Sequence, residues 1–294
     1  MNINKKQIML RSVNKFTNKI FGLIALLFGL GLMACSNGDG TGTMRVSLTD
    51  APADYAEVNV EIRQVLVKTN DDDDLDDGEE DETEDMNDEE LEDNGWKVIF
   101  NDSIRVNLLD YQNGETFDLG EVNLEEGRYN QIRLVLGDDN SVVLNSGETF
   151  QLNTPSGQTS GFKLLVQADI EADQIYDLVI DFDASRSVVV TGNGTYNLKP
   201  VLKTANLTAS GSISGTILPL EANPYVYAIA GTDTSGTQVD ENGDFRIIGL
   251  SDKTYKLWIQ PTNDAYNDST ITDIELEDGE DVEIEEDITL EANS

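Results

Sequence analysis

Three aspartates stand at strand ends in short motifs that could do chemistry: Asp50 in "LTDAP", and Asp181 and Asp183 in "IDFDAS". Two carboxylates facing a sugar linkage suffice for glycoside hydrolysis, one as acid and the other as base or nucleophile. Clustered carboxylates also suit calcium, a hard cation that takes oxygen ligands. A second set, Asp240, Asn242 and Asp244 in "DENGDF", has the alternating spacing of a calcium loop. Both sets have a plainer reading. Aspartate at a strand end commonly forms a turn or cap with nearby backbone, and the second set lacks the acid that closes an EF-hand loop at its twelfth position. The chain contains no histidine, which removes the commonest general base and the commonest zinc ligand. No residue is therefore assigned as catalytic, and the expectation is a protein that is not an enzyme. Calcium at these six residues is the one cofactor left open.

Cys35 is the only cysteine, so no disulfide can form within the chain. Ahead of it stand Lys5, Lys6, Arg11, Lys15 and Lys19 without an acidic residue, then the apolar run "IFGLIALLFGLGLM" from Ile20 to Met33. A helix that spans the bilayer core needs roughly twenty residues, and this run is shorter. A basic start, a short apolar stretch and small residues at its end read as an export signal. Leu32, Ala34 and Cys35 resemble the lipobox of bacterial lipoproteins, in which the cysteine thiol carries diacylglycerol and the chain is cut just before it. That resemblance implies a signal peptide over 1–34, a lipid on Cys35 and a tether over 35–43. It also implies a place in the cell envelope; Ser36 after the cysteine, in place of an aspartate, is compatible with sorting to the outer membrane, with the periplasmic or surface face left open. The alternative is an ordinary signal peptide cut after Ala34, leaving a free thiol.

Lys plus Arg number 19 against 57 Asp plus Glu, a formal charge of −38. Loss of the five leader cations would leave 14 against 57, or −43. Phosphate backbones and anionic headgroups would repel such a chain, which excludes nucleic acid as a partner. Residues 70–94, "NDDDDLDDGEEDETEDMNDEELEDN", hold seventeen acids in 25 positions and no base. Like charges in that density cannot bury enough apolar surface to offset the entropy of ordering, so a disordered acidic loop is expected, with at most diffuse cation binding.

Elsewhere apolar residues recur with period two, as in "MRVSLT" (44–49), "EVNVEIRQVLVK" (57–68), "YNQIRLVLG" (129–137), "KLLVQADI" (163–170) and "YDLVIDFD" (176–183). Strands this frequent, separated by Gly, Asn and Asp turns, predict an all-β chain of antiparallel sandwich or barrel type; with the resemblances given below, the expectation is two antiparallel β-sandwich domains in tandem, over 44–206 and 208–291. Apart from the N-terminal signal helix, no amphipathic helix longer than two turns is expected. Trp96, where the chain returns from the acidic loop, is expected to cap the core. Asn242-Gly243 predicts a hairpin turn. Arg186, Lys199 and Lys163 are expected to pair with strand-end carboxylates.

The segments "VSLTDAPADY" (46–55), "VNLLDYQNGE" (106–115), "GRYNQIRLVL" (127–136), "TPSGQTSGFKL" (154–164), "LVIDFDASRSVV" (178–189) and "YNLKPVLK" (196–203) together resemble domain of unknown function 4382, found in exported lipoproteins of Bacteroidota and other bacteria. The resemblance implies an all-β fold and an envelope location, and no activity. "DENGDFRIIGLSDKTYKLWIQP" (240–261) resembles carboxypeptidase regulatory-like, transthyretin-like modules, which implies a small sandwich serving as a spacer or docking support over about 211–290. "DSI" (102–104) and "DST" (268–270) match the pattern Bacteroidota use for O-glycosylation, which marks Ser103 and Ser269. The expected function is a lipid-anchored, non-catalytic binding, adhesion or scaffolding module, with a glycan or protein as ligand. A carbohydrate-binding accessory lipoprotein is the alternative, for which Tyr55, Tyr111, Tyr225, Tyr227 and Trp258 are the available aromatic platform; a cation-binding structural protein is another.

Overall fold

The computed structural model describes residues 10–12, 40–69, 87–154 and 161–293. Cys35, the tether up to residue 39, the apolar run of the leader and residues 70–86 of the acidic segment lie outside them. The described part of the leader is a strand, β1 (Leu10–Ser12), where a signal helix is expected.

In β2 (Thr41–Asp50) the alternation of Met44, Val46 and Leu48 is realised as three fully buried side chains. Its sheet also contains β5 (Phe117–Glu125), β10 (Ile175–Phe182) and β13 (Leu202–Asn206), in the order β13-β10-β2-β5. The facing sheet is built on the long strand β3 (Glu57–Thr69). On one side of β3 lies β4 (Lys97–Asn107); on the other lie β6 (Gly127–Leu136) and then β7 (Ser141–Val143). β8 (Thr149–Gln151) extends β7, and β9 (Phe162–Ile170) extends β6. β11 (Val188–Val190) and β12 (Tyr196–Leu198) form a small separate ribbon.

The register of β3 slips between Ile62 and Gln64 against both its neighbours. The extra residue moves the inward phase from Val58, Val60 and Ile62 to Val65 and Val67, all five of them fully buried. Leu66 is thereby turned to the opposite face. There it meets Trp96, 1% exposed, and Leu91 of the helix α1 (Asp88–Asp93) in a small satellite cluster. Trp96 is buried at the loop's return, but on the face of the sheet away from the main core, which it therefore does not cap. α1 corrects the acidic loop, whose expected disorder extends to Asn94. The Asn87 side chain accepts from Glu90 N at 3.1 Å, and the Glu90 carboxylate accepts from Asn87 N at 3.0 Å. This reciprocal cap holds the first turn, acids there suit the positive end of the helix, and Leu91 supplies the apolar anchor that composition averaged over the segment conceals.

The second domain pairs β14 (Gly211–Leu218), β17 (Asp244–Leu250) and β20 (Asp281–Thr289), with β1 antiparallel on the outer edge of β20. Facing it are β15 (Tyr225–Ala230), β16 (Asp233–Gln238), β18 (Thr254–Gln260) and β19 (Ser269–Glu275), in the order β16-β15-β18-β19. Phe245 and Ile247 face Leu257 and Ile259 across this core. Both sandwiches are antiparallel apart from one parallel pair in each, β2 with β10 and β14 with β20.

Asn242-Gly243 makes a tight turn, with Gly243 N donating to Asp240 O at 3.0 Å, but not a β-hairpin. β16 and β17 leave it for different sheets, because Ile217 N of β14 donates to Gly243 O at 2.8 Å and captures the outgoing strand. At Gly211, which opens β14, an added Cβ would lie 2.1 Å from the Glu280 carbonyl oxygen. Backbone cannot yield as a side-chain tip does, so Gly211→Ala should lower stability by about 1–3 kcal/mol, read as a fall in the urea midpoint at unchanged slope.

Candidate functional site

The end of β2 and the end of β10 lie side by side, with Asp181 opposite Thr49 and Phe182 opposite Asp50 in the parallel register. The three aspartates of the sequence motifs are thus brought to one end of one sheet. Asp50 is 3% exposed. Its Oδ1 accepts from Ala184 N at 2.9 Å and its Oδ2 from Gln112 Nε2 at 3.3 Å. Burial pushes the Asp50 carboxyl well above the ordinary range, and the charges of Asp181 and Asp183 add to that, against the lowering by its two hydrogen bonds.

Asp183 has a local job. It caps the short helix α2 (Ala184–Ser187), accepting from Arg186 N at 3.0 Å and from Ser185 Oγ at 2.8 Å, and it pairs with the Arg186 guanidinium at 3.6 Å. The ion pair expected for Arg186 is present; Lys199 makes none among the described residues.

Asp181 is different. Its carboxylate accepts no hydrogen bond among the described residues, and burial raises its pKa to about 6, against a lowering by Lys203, directly opposite on β13, and a further rise from Asp183. By surface area Asp181 is only half-buried, because it faces a cleft. The protein around that cleft is dense enough to disfavour the charge even so.

The cleft is a cavity of about 550 Å³ between the two domains. The first domain supplies Asp181, Lys203 and Thr49, and the second Asp233, Arg246 and Lys253. Of the fourteen cations beyond the leader, three therefore line one cavity. Two of those are neutralised in place, Arg246 by Asp281 at 3.2 Å and Lys253 by Asp233. Lys203 donates one proton to the Thr234 carbonyl across the domain boundary.

The residue that fixes this boundary is Asn113, in the left-handed region at φ 58°. Its backbone N–H donates to Thr237 Oγ1 at 2.7 Å, its Nδ2 to Asp244 O at 3.1 Å, and its Oδ1 accepts from Arg246 N. The same loop is tied back to the first domain by Thr49 Oγ1, which donates to Tyr111 O at 3.0 Å. One turn thus connects the Asp50 end of β2 to the second sandwich. Sequence reasoning missed Asn113 and Lys203 as site residues. The Asn-Gly pair in "QNGE" signals a turn, but no local pattern shows that its amide would cross to a strand 131 residues away.

Asp240, Asn242 and Asp244 stay in their own turn, apart from Asp50, Asp181 and Asp183. Asp240 Oδ1 accepts from Asn242 N at 2.8 Å and Asp244 N at 2.9 Å, and Asp244 Oδ1 accepts from Thr216 Oγ1. These oxygens are spent on the turn. Among the described residues no three His, Cys, Asp or Glu side chains are grouped to hold a metal ion.

Of the aromatic platform, Tyr111 packs edge-on against Phe117 at 5.2 Å, and Tyr55 lies against the first core. Tyr227 and Trp258 stack at 5.3 Å on the outer face of their sheet, with Tyr225 beside them. Pro52 of the first domain reaches the Gly236 edge of that face. Tyr227 lies over Gly236, where an added Cβ would be 2.6 Å from its ring and 3.2 Å from Pro52. Ser103 is exposed and donates to Glu61 Oε1 at 2.7 Å, and Ser269 is half-buried.

The sequence profile described as Domain of unknown function (DUF4382) matches residues 41–200, over half the chain. The chain belongs to this family. The matched residues take in Asp50, Asp181 and Asn113; β13 with Lys203 follows them, and the second domain supplies the rest of the cavity lining. No curated protein matches the chain. Among solved structures, the Bacillus anthracis TIE protein is 10% identical with a TM-score of 0.23, covering 85% of this chain, which spans 34% of that one. GBS52, the minor pilin of Streptococcus agalactiae, is 12% identical at 0.20, covering 85% and 97%. The shaft pilin SpaA of Lactobacillus rhamnosus GG is 11% identical at 0.22, covering 86% and 99%. Likeness at that level says nothing of what the DUF4382 protein does.

Proposed function

We propose that the protein is a lipid-anchored module of the bacterial outer membrane that binds or scaffolds a partner and does no catalysis. The observation that carries this reading is the use to which the converging acids are put. Asp50 holds the Ala184 N–H and Asp183 caps α2, so neither is free to act on a substrate as half of an acid–base pair. No histidine is present to replace them. The lipobox-like "LMAC" supports the anchor, and the three bonds of Asn113 support a two-domain body that moves as one piece. β2 begins at Thr41, so at about 3.5 Å per extended residue the tether would keep the first sandwich within roughly 20 Å of the lipid. The second sandwich reads as the brace or docking support that its resemblance implies.

The test is fractionation of cells that make the chain with its own leader. Wild type should partition with the membrane and carry diacylglycerol on Cys35, whereas Cys35→Ser should keep residues 1–34 and lose the lipid mass. An unmodified Cys35 in mature wild type would overturn the anchor. Digestion of intact cells with a Glu-specific protease assigns the face: cleavage without lysis means surface display, and protection means the periplasm.

A further inference from the structure

We infer that the cavity between the two sandwiches binds a small neutral polyol, one or two sugar rings in size. The inference deepens the binding reading above and rests on it. A cavity of about 550 Å³ suits a ligand of that size. Its chemistry follows from which groups are still free. The Asp181 carboxylate has no donor among the described residues, so the occupant must bring O–H or N–H groups. Lys203, directly across the ladder, spends one of its three protons on Thr234 O and keeps two. Adjacent hydroxyls match both neighbours, because each can donate to a carboxylate and accept from an ammonium.

Charge selects against the alternatives. An anion would meet the Asp181 carboxylate and a chain carrying −43 beyond the leader. An amine would satisfy Asp181 but stand against Lys203. Arg246 and Lys253 are already paired with Asp281 and Asp233, so they call for no charged ligand. The wall formed by Val179, Ala205 and Ile247 gives the C–H face of a ring an apolar surface. Because both domains supply lining groups, the ligand would also bridge the boundary that Asn113 fixes.

The experiment is saturation-transfer NMR on the full-length protein in a detergent without a sugar headgroup. The probes are glucose, galactose, mannose and N-acetylglucosamine, with putrescine and succinate as cationic and anionic arms. At least one sugar should bind, with Kd on the order of millimolar for so few contacts, and neither charged probe should compete. Asp181→Ala should weaken that sugar about tenfold or more, since a charged acceptor is lost. Asp181→Asn, which keeps one acceptor oxygen, should weaken it less, and it guards against misfolding of the alanine variant. Arg128→Gln, an exposed change outside the cavity, should bind as wild type does. Failure of all four sugars, competition by putrescine or succinate, or equal binding by both Asp181 variants would overturn the inference. If Cys35 is lipidated in the same preparation, that failure falls on the cavity alone and leaves the anchored-module reading standing.

Discussion

Trp96→Ala should lower the unfolding free energy by about 3–5 kcal/mol, the range for removing a fully buried aromatic side chain. Trp96 is 1% exposed and packs with Leu66 and Leu91 on the outer face of the first domain's larger sheet. The Arg133 guanidinium, wholly buried, lies 4.3 Å from the ring centroid, and Lys68 Nζ lies at 5.3 Å. Removing the ring takes away its apolar area and strips Arg133 of the π face beneath it, a contact worth about 2 kcal/mol when desolvated. It should also release α1, because a six-residue helix is too short to stand without its tertiary anchor. The variant should therefore show a lower urea midpoint together with new cleavage at Glu89, Glu90 or Glu92 by a Glu-specific protease. Trp96→Phe should recover part of both. A midpoint shift under 1 kcal/mol would mean that this cluster does not hold the face.

Much of this was legible in the sequence wherever a pattern is local. "EVNVEIRQVLVK" shows the β3 slip openly: Val58, Val60 and Ile62 keep one phase, then two residues intervene before Val65 and Val67. The acids of "LTDAP" and "IDFDAS" could be paired by type, and the parallel register of β2 and β10 places them together. What escaped depends on contacts between distant segments. Composition over 70–94 is dominated by charge, so one leucine and one reciprocal cap were invisible until Leu66 and Trp96 offered Leu91 a place to pack. Asn242-Gly243 was a turn signal and is a turn. Whether the chain then folds back or changes sheets is decided by Ile217 on β14, which no property of the dipeptide reports. Asn113 had the same limit, since its three partners all belong to the second domain.

Asp181→Asn should stabilise the protein above pH 6 and change it little at pH 4. Burial puts the folded pKa of Asp181 at about 6, above an ordinary value of 3.8. Between those values the native state holds a proton that the unfolded chain releases. The contribution of Asp181 is therefore fully present below 3.8 and is lost as pH rises through 6. At about 1.4 kcal/mol per pKa unit the full shift would amount to about 3 kcal/mol, and contact with cavity water reduces that to roughly 1–3 kcal/mol. An asparagine never ionises, so the variant escapes the loss. Asp50, raised for the same reason and partly by the Asp181 charge, should leave a shallower slope in the variant. The measurement is the thermal midpoint of wild type and Asp181→Asn from pH 4 to pH 8. A lower midpoint for the variant at pH 8 would show that attraction to Lys203 outweighs burial, and the carboxylate would then be a structural half of an ion pair. A higher midpoint, accompanied by weaker sugar binding, would show an acid kept at a cost to the fold for what it holds in the cavity.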